Sequence, residues 1–249
     1  MELLELTALF LCRGGWGVLN RSCYPSNAAY RTATSRLRKQ GLVIWREKEA
    51  ATPQLKLTDA GRGLMPPYFD PDKYWNRPWN KIWYLLVYDV PEADRGYRDV
   101  LRQFLKRKRM GCLQQSVWIT PEDIRPDFDD LAKAAAIETF AYLFESRTVL
   151  GMPSRRVVQD AWDFDRLQQI QEHYCSVMEE NIELLRTGNH PPSAMAELLR
   201  MSMDAYHATM AKDPLLPDAL HPEGYRGRQV QTLNRTLFSE IDRQAGCYI

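Results

Sequence analysis

The stretch "AAYRTATSRLRKQGLV", residues 28–43, decides how the front of this chain is read. Ser26 stands where a helix N-cap belongs and Gly41 where a C-cap belongs. Ala29, Ala33 and Leu37 recur at four-residue spacing and should face inward. Asn27, Arg31, Thr34, Ser35 and Arg38 then point outward, with Tyr30 beside them. An ordinary solvated helix also turns arginines to water. Such a helix, however, usually interleaves carboxylates to gain i,i+4 pairs, and no acidic residue occurs here from 26 to 46. An acid-free face of arginine and small polar groups suits phosphates and base edges, where carboxylates would be repelled.

The surroundings extend this reading. Residues 2–11 have a helical pattern, and "LVIW" (42–45) and "QLKLT" (54–58) are short apolar runs around the polar "REKEAATP". Two such runs predict a two-stranded ribbon. Helix, helix, ribbon is the order of a winged helix. In that fold Arg46, Lys48 and Lys56 on the ribbon would touch phosphates or the minor groove.

A proline-rich joint, "MPPYFDPDKYWNRPWN" (65–80), follows. Proline fixes φ and lacks an amide donor, which excludes one continuous helix or a central strand there. Beyond it, "KIWYLLVYDVP" reads as a buried strand. "EADRGYRDVLRQFLKRKRMG" is a helix with Tyr97, Val100, Leu101, Phe104 and Leu105 on one stripe and Gly111 at its end. "CLQQSVWIT", "RPDFDDLAKAAA" and "TFAYLFE" add one or two strands, a helix and a last strand. That order is the ferredoxin-like split βαβ arrangement. From residue 151 onward the pattern is helical, broken by "KDPLLPDALHPEGYRG" (212–227), an ordered loop whose Leu215, Leu216 and Leu220 want burial.

The fold expected is therefore α+β. A winged helix at 1–66 and a linker at 67–80 precede a ferredoxin-like dimerisation domain at 81–150 and a helical domain at 151–249. The net charge is +1, so a nucleic-acid surface must come from local segregation of charge. The five cysteines form no CxxC, which fits reduced thiols in a cytoplasm. No basic leader opens the chain, and no apolar run approaches the roughly 18 residues of a membrane span. A soluble cytoplasmic protein is expected.

Three stretches together resemble the PaaX family, the phenylacetyl-CoA-responsive repressors of aromatic catabolism. "AYRTATSRLRKQGLV" is similar to that family's recognition helix and its exit into the wing. "LRQFLKRKRMGCLQQSVWITPEDI" is similar to its middle domain, and "KDPLLPDALHPEGYRG" to its C-terminal signature. The resemblance implies a homodimer that binds a palindromic double-stranded DNA operator and is released by an acyl-CoA of the phenylacetyl-CoA kind. Two departures stand out. Only "RGGWGVLNRSCYP" (13–25) separates the first helix from the recognition helix, so the usual second helix is shortened or replaced by a turn. "EGYRG" also stands in place of a more tryptophan-rich version.

Other residues in the sequence offer competing readings. Trp75, Trp79, Trp83, Trp118 and Trp162 near the domain junctions would wall an aryl-thioester pocket, with Arg155 and Arg156 meeting the coenzyme A phosphates; the plainer use of these tryptophans is to glue domains together. The middle segment also resembles the ferredoxin-like CRISPR adaptation proteins, some assigned metal-dependent nuclease activity. There Asp89, at a strand end, would hold Mg²⁺ across a dimer, whereas its plain role is to cap a turn. A non-catalytic adaptor whose winged helix binds protein is the third reading. The four histidines lack ligand spacing, and no nucleophile elbow or phosphate-cradling glycine loop appears. Neither an enzyme nor a cofactor is expected.

Overall fold

The computed structural model describes residues 26–45, 55–129, 140–148 and 151–245. The expected first helix, the shortened turn, Arg46 and Lys48 lie outside them. The described chain divides into two compact units.

One unit holds the described residues up to Phe69, Ile170–Lys212, and those from Arg226 onward. Helix α1 (Asn27–Lys39) is capped by Ser26, whose hydroxyl accepts the Ala29 amide at 3.1 Å. Its C-terminus closes through Gly41 at φ +72°. The Gly41 amide donates to the Arg38 carbonyl and the Leu42 amide to the Leu37 carbonyl, each at 3.0 Å. That is a Schellman closure, and it needs a residue that tolerates positive φ.

Strands β1 (Val43–Trp45) and β2 (Leu55–Leu57) then pair antiparallel, Val43 opposite Leu57. Leu37, Val43 and Leu57 form the small core beneath them. Helix α2 (Asp59–Gly63) is capped by Thr58. The Thr58 hydroxyl accepts the Gly61 amide at 3.0 Å and donates to the Gly41 carbonyl at 2.7 Å. This one threonine ties the ribbon's exit to the end of α1.

The rest of this unit is helical: α6 (Phe164–Thr187) from Ile170 on, α7 (Pro192–Met210) and α8 (Gly227–Ala245). Tyr174, Met178, Ile182 and Leu185 on α6 are buried, as are Met195, Leu199, Met203, Tyr206 and Met210 on α7 and Val230, Leu237 and Ile241 on α8. The methionines are core fillers, as their flexible side chains suit.

The other unit holds Asp70–Gln169 and Asp213–Tyr225 and opens with helix α3 (Pro71–Trp75). Residues 151–169 and 213–225, which the sequence joints assign to the C-terminal segment, pack here on the sheet. The sheet comprises β3 (Trp83–Tyr88), β4 (Gly111–Gln114), β5 (Val117–Thr120) and β6 (Ala141–Ser146), in the order β4-β5-β3-β6 with every neighbour antiparallel. That is the order a split βαβ sheet takes. Helix α4 (Arg95–Arg107) joins β3 to β4. Of the second expected helix, residues 125–129 are helical and the remainder is outside the described residues.

Successive strand residues face opposite ways. Tyr84, Leu86 and Tyr88 meet Leu101, Phe104 and Leu105 of α4. Trp83 and Ile119 meet Val157, Val158 and Ala161 of α5 (Ser154–Ala161), together with Leu216 and Leu220. Tyr97 and Val100, expected on the buried stripe of α4, are exposed, because the sheet covers only the narrower face through Leu101, Phe104 and Leu105.

The end of α4 departs from expectation as well. The residue at positive φ is Arg109 (+55°), not Gly111. A left-handed arginine costs ~1–2 kcal/mol, and two contacts hold it there. Its carbonyl accepts the Trp162 Nε1 hydrogen at 2.9 Å, and its guanidinium donates to the Asp213 carbonyl. Gly111 is glycine for another reason: a Cβ there would stand 2.6 Å from Ala161 Cβ and 2.7 Å from Trp162 Cδ2.

Candidate nucleic-acid interface

The α1 sequence "NAAYRTATSRLRK" carries four cations and no acid. Ala33, Thr34 and Leu37 are buried, and Tyr30 packs half-buried against Leu37, Val43 and Leu57. The helix period then turns Ala28, Thr32, Ser35 and Lys39 directly outward, with Arg31 and Arg36 to either side. All six are exposed, as are Asn27 and Arg38. Arg31, Arg36, Arg38 and Lys39 make no ion pair with any described residue. Three of the four cluster in the last turn, where positive charge also complements the helix dipole.

Thr34 does not belong to the outward set. It is 6% exposed, and its hydroxyl donates back to the Tyr30 carbonyl at 2.9 Å and the Arg31 carbonyl at 3.1 Å. A threonine satisfied by its own preceding turn has nothing left to offer a base edge. Thr32, Arg36 and Lys39 were missed, and the signal was available: with Leu37 and Ala33 fixed inward, the opposite face passes through them. Lys56 lies on β2, paired with Ile44. Ile44 is 51% exposed on the ribbon's open side.

Of the residues proposed for an effector pocket, Trp118, Trp162, Arg155 and Arg156 do not come together. Trp118 pairs with Leu86 across the sheet and is buried among Tyr84, Leu86, Leu105 and Ile124 under α4. Trp162 packs against the opposite face beside Trp83 and Ile119. Arg156 is held by Asp160 at 3.0 Å, and Arg155 is exposed. A sheet separates the two tryptophans, because Trp118 and its neighbour Ile119 point to opposite faces and Trp162 packs on the Ile119 side.

Asp89 is exposed just beyond β3, and its amide donates to the Phe140 carbonyl at 2.9 Å. The nearby Glu92 carboxylate is engaged by Arg98 at 2.9 Å. Among the described residues no group of three His, Cys, Asp or Glu side chains could hold a metal ion. No helix among them is long and apolar enough to cross a membrane.

Residues 76–158 match the family described as the PaaX protein central Cas2-like domain, and residues 162–249 match the PaaX-like protein C-terminal domain. The chain belongs to the PaaX family. The central match contains the β3–β6 sheet, and the C-terminal match contains α6, α7 and α8. Among solved structures, the chain is similar to the uncharacterized protein Rv0674 from Mycobacterium tuberculosis, at 17% identity and a TM-score of 0.64. That likeness covers 98% of this chain and 97% of the other and bears on the fold alone. No curated protein matches the chain.

Proposed function

We propose that the chain is a homodimeric DNA-binding transcriptional repressor of the PaaX type. Family membership supports a regulator. The acid-free cationic face of α1 carries the DNA-binding reading, because four cations on one short helix that pair with no carboxylate among the described residues suit neutralisation by phosphates. On this reading residues 1–66 form a winged helix, with α1 as its reading helix and β1–β2 as its wing. Asn27, Arg31, Ser35, Arg38 and, beyond the sequence expectation, Thr32, Arg36 and Lys39 meet the major groove; Tyr30 supports them. Arg46, Lys48 and Lys56 meet phosphates. The central segment dimerises, which presents two reading helices to a palindromic site.

The effector in this proposal is an acyl-CoA of the phenylacetyl-CoA kind. It releases DNA by favouring the dimer geometry whose two helices miss the half-sites, and must bind the two geometries unequally to do so. Selection of bound duplexes from a random pool, repeated with a panel of acyl-CoA thioesters, tests the reading. Recovery of a two-fold site that one thioester abolishes is expected. A pool that never enriches counts against it. The Cas2-like description of the central match, with Asp89 exposed beyond β3, keeps a metal-dependent nuclease as second reading. Cleavage that disappears in Asp89→Ala would favour it.

A further inference from the structure

The joint at 65–80, expected to be a linker, holds one of the more deeply buried aromatics of its unit. Tyr68, in a single 3-10 turn (Pro67–Phe69), is 4% exposed. Its hydroxyl bonds His207 Nδ1 at 2.5 Å, and its carbonyl accepts the Tyr206 hydroxyl at 3.2 Å. Two consecutive residues of α7 thus hold both ends of one residue. The Tyr68 and His207 rings also meet edge to face at 5.4 Å, and the Tyr206 ring meets Tyr174 of α6 at 6.3 Å.

Toward the N-terminus the connection from Tyr68 is equally firm. Met65 packs against the core of Leu37, Val43 and Leu57, and its amide donates to the Arg62 carbonyl at 3.1 Å. Arg62 lies on α2, whose cap Thr58 is bonded to Gly41 at the end of α1. Packed side chains, hydrogen bonds and the short covalent stretch from Met65 to Tyr68 therefore link α1 to the C-terminal part of α7. Packed side chains and hydrogen bonds of this kind are the physical elements that carry coupling between distant parts of a protein.

We infer that Tyr68 is a positioning residue that seats the reading module on α7, so that movement of the helical bundle is movement of α1. This rests on the DNA-binding reading above and adds the route by which the bundle controls it. Tyr68 touches no DNA; it acts by fixing where α1 points. Removing its hydroxyl should loosen the seat while keeping the ring packed.

The test compares the full chain with Tyr68→Phe and Tyr206→Phe on duplexes whose half-site spacing varies by one or two base pairs. Affinity for the best spacing should fall about tenfold, the effect of losing one hydrogen bond of ~1.4 kcal/mol. The salt slope should stay unchanged, since no cation is lost, and preference among spacings should weaken. General destabilisation would instead lower all spacings alike. Exchange of the Met65 and Phe69 amides, which are hydrogen-bonded in this stretch, should quicken by a similar factor without DNA present. Variants that keep both the spacing preference and the slow exchange overturn the inference while leaving the parent's DNA binding intact. A parent that binds no duplex overturns both readings together.

Discussion

Gly61→Ala and Gly63→Ala place the same methyl group two residues apart in α2, and the two changes should have opposite signs. In a helix interior alanine is better than glycine by ~1 kcal/mol. At Gly63 nothing lies within 4 Å of the new Cβ, so Gly63→Ala should stabilise by about 0.5–1 kcal/mol, less than the full gain because the site is the last residue of the helix. At Gly61 the Cβ would overlap the Leu42 carbonyl oxygen and lie 2.8 Å from Leu57 Cδ2. The carbonyl is backbone and cannot rotate away. Relief requires α2 to leave the ribbon, which breaks the Thr58 amide bond to Leu42 at 3.0 Å and the Thr58 hydroxyl bond to Gly41 at 2.7 Å. Two hydrogen bonds at ~1 kcal/mol each, plus about 1–3 kcal/mol for overpacking, outweigh the helix gain of ~1 kcal/mol and leave a net loss of about 2–4 kcal/mol. Hydrogen exchange of the 27–45 and 55–63 amides reads this locally. Equal protection in the two variants would refute the claim that the α2–ribbon contact holds α1 and the β1–β2 ribbon together.

Three further outcomes follow. Burial, and then the Asp213 carboxylate, push the Tyr225 phenol well above its usual range. The folded state thus favours the neutral phenol, a contribution present below about pH 10 and lost as pH rises beyond it. Tyr225→Phe should lower stability by ~1–3 kcal/mol, because the buried Asp213 loses the hydroxyl that donates to it at 2.7 Å; it should also flatten the alkaline limb in denaturant melts from pH 8 to 11. Burial pushes the Cys175 thiol up to about 11, so peptide mapping after thiol alkylation at neutral pH should find Cys112 modified and Cys175 protected until the chain unfolds. Thr34→Ala should leave duplex affinity within about twofold, whereas Ser35→Glu, which puts a carboxylate at the centre of the exposed face, should abolish it.

The elements were largely legible in the sequence because each obeys a local rule. Ser26 and Gly41 bracket α1, and the Trp83–Tyr88 strand and the stripe through Leu101, Phe104 and Leu105 carry their periods openly. The misses are tertiary. Thr34 looks polar and outward until its hydroxyl finds the preceding turn. Trp118 and Trp162 look like partners until strand alternation and α5 put them on opposite faces. Arg109 takes a glycine's conformation because Trp162 and Asp213, distant in sequence, hold it there. Tyr68 sits in a proline-rich stretch that reads as a linker, and only the fold of α7 supplies Tyr206 and His207 to bury it.

The most direct test of the account is the salt dependence of duplex binding for the parent chain and for Arg31→Ala/Arg38→Ala. Each phosphate contact contributes about 0.9 to the slope of log affinity against log salt. A steep slope is expected for the parent, lowered by about 3.6 in the double variant because two cations are lost from each of two protomers, with a weaker complex throughout. A double variant with the parent's affinity and the parent's slope would contradict it.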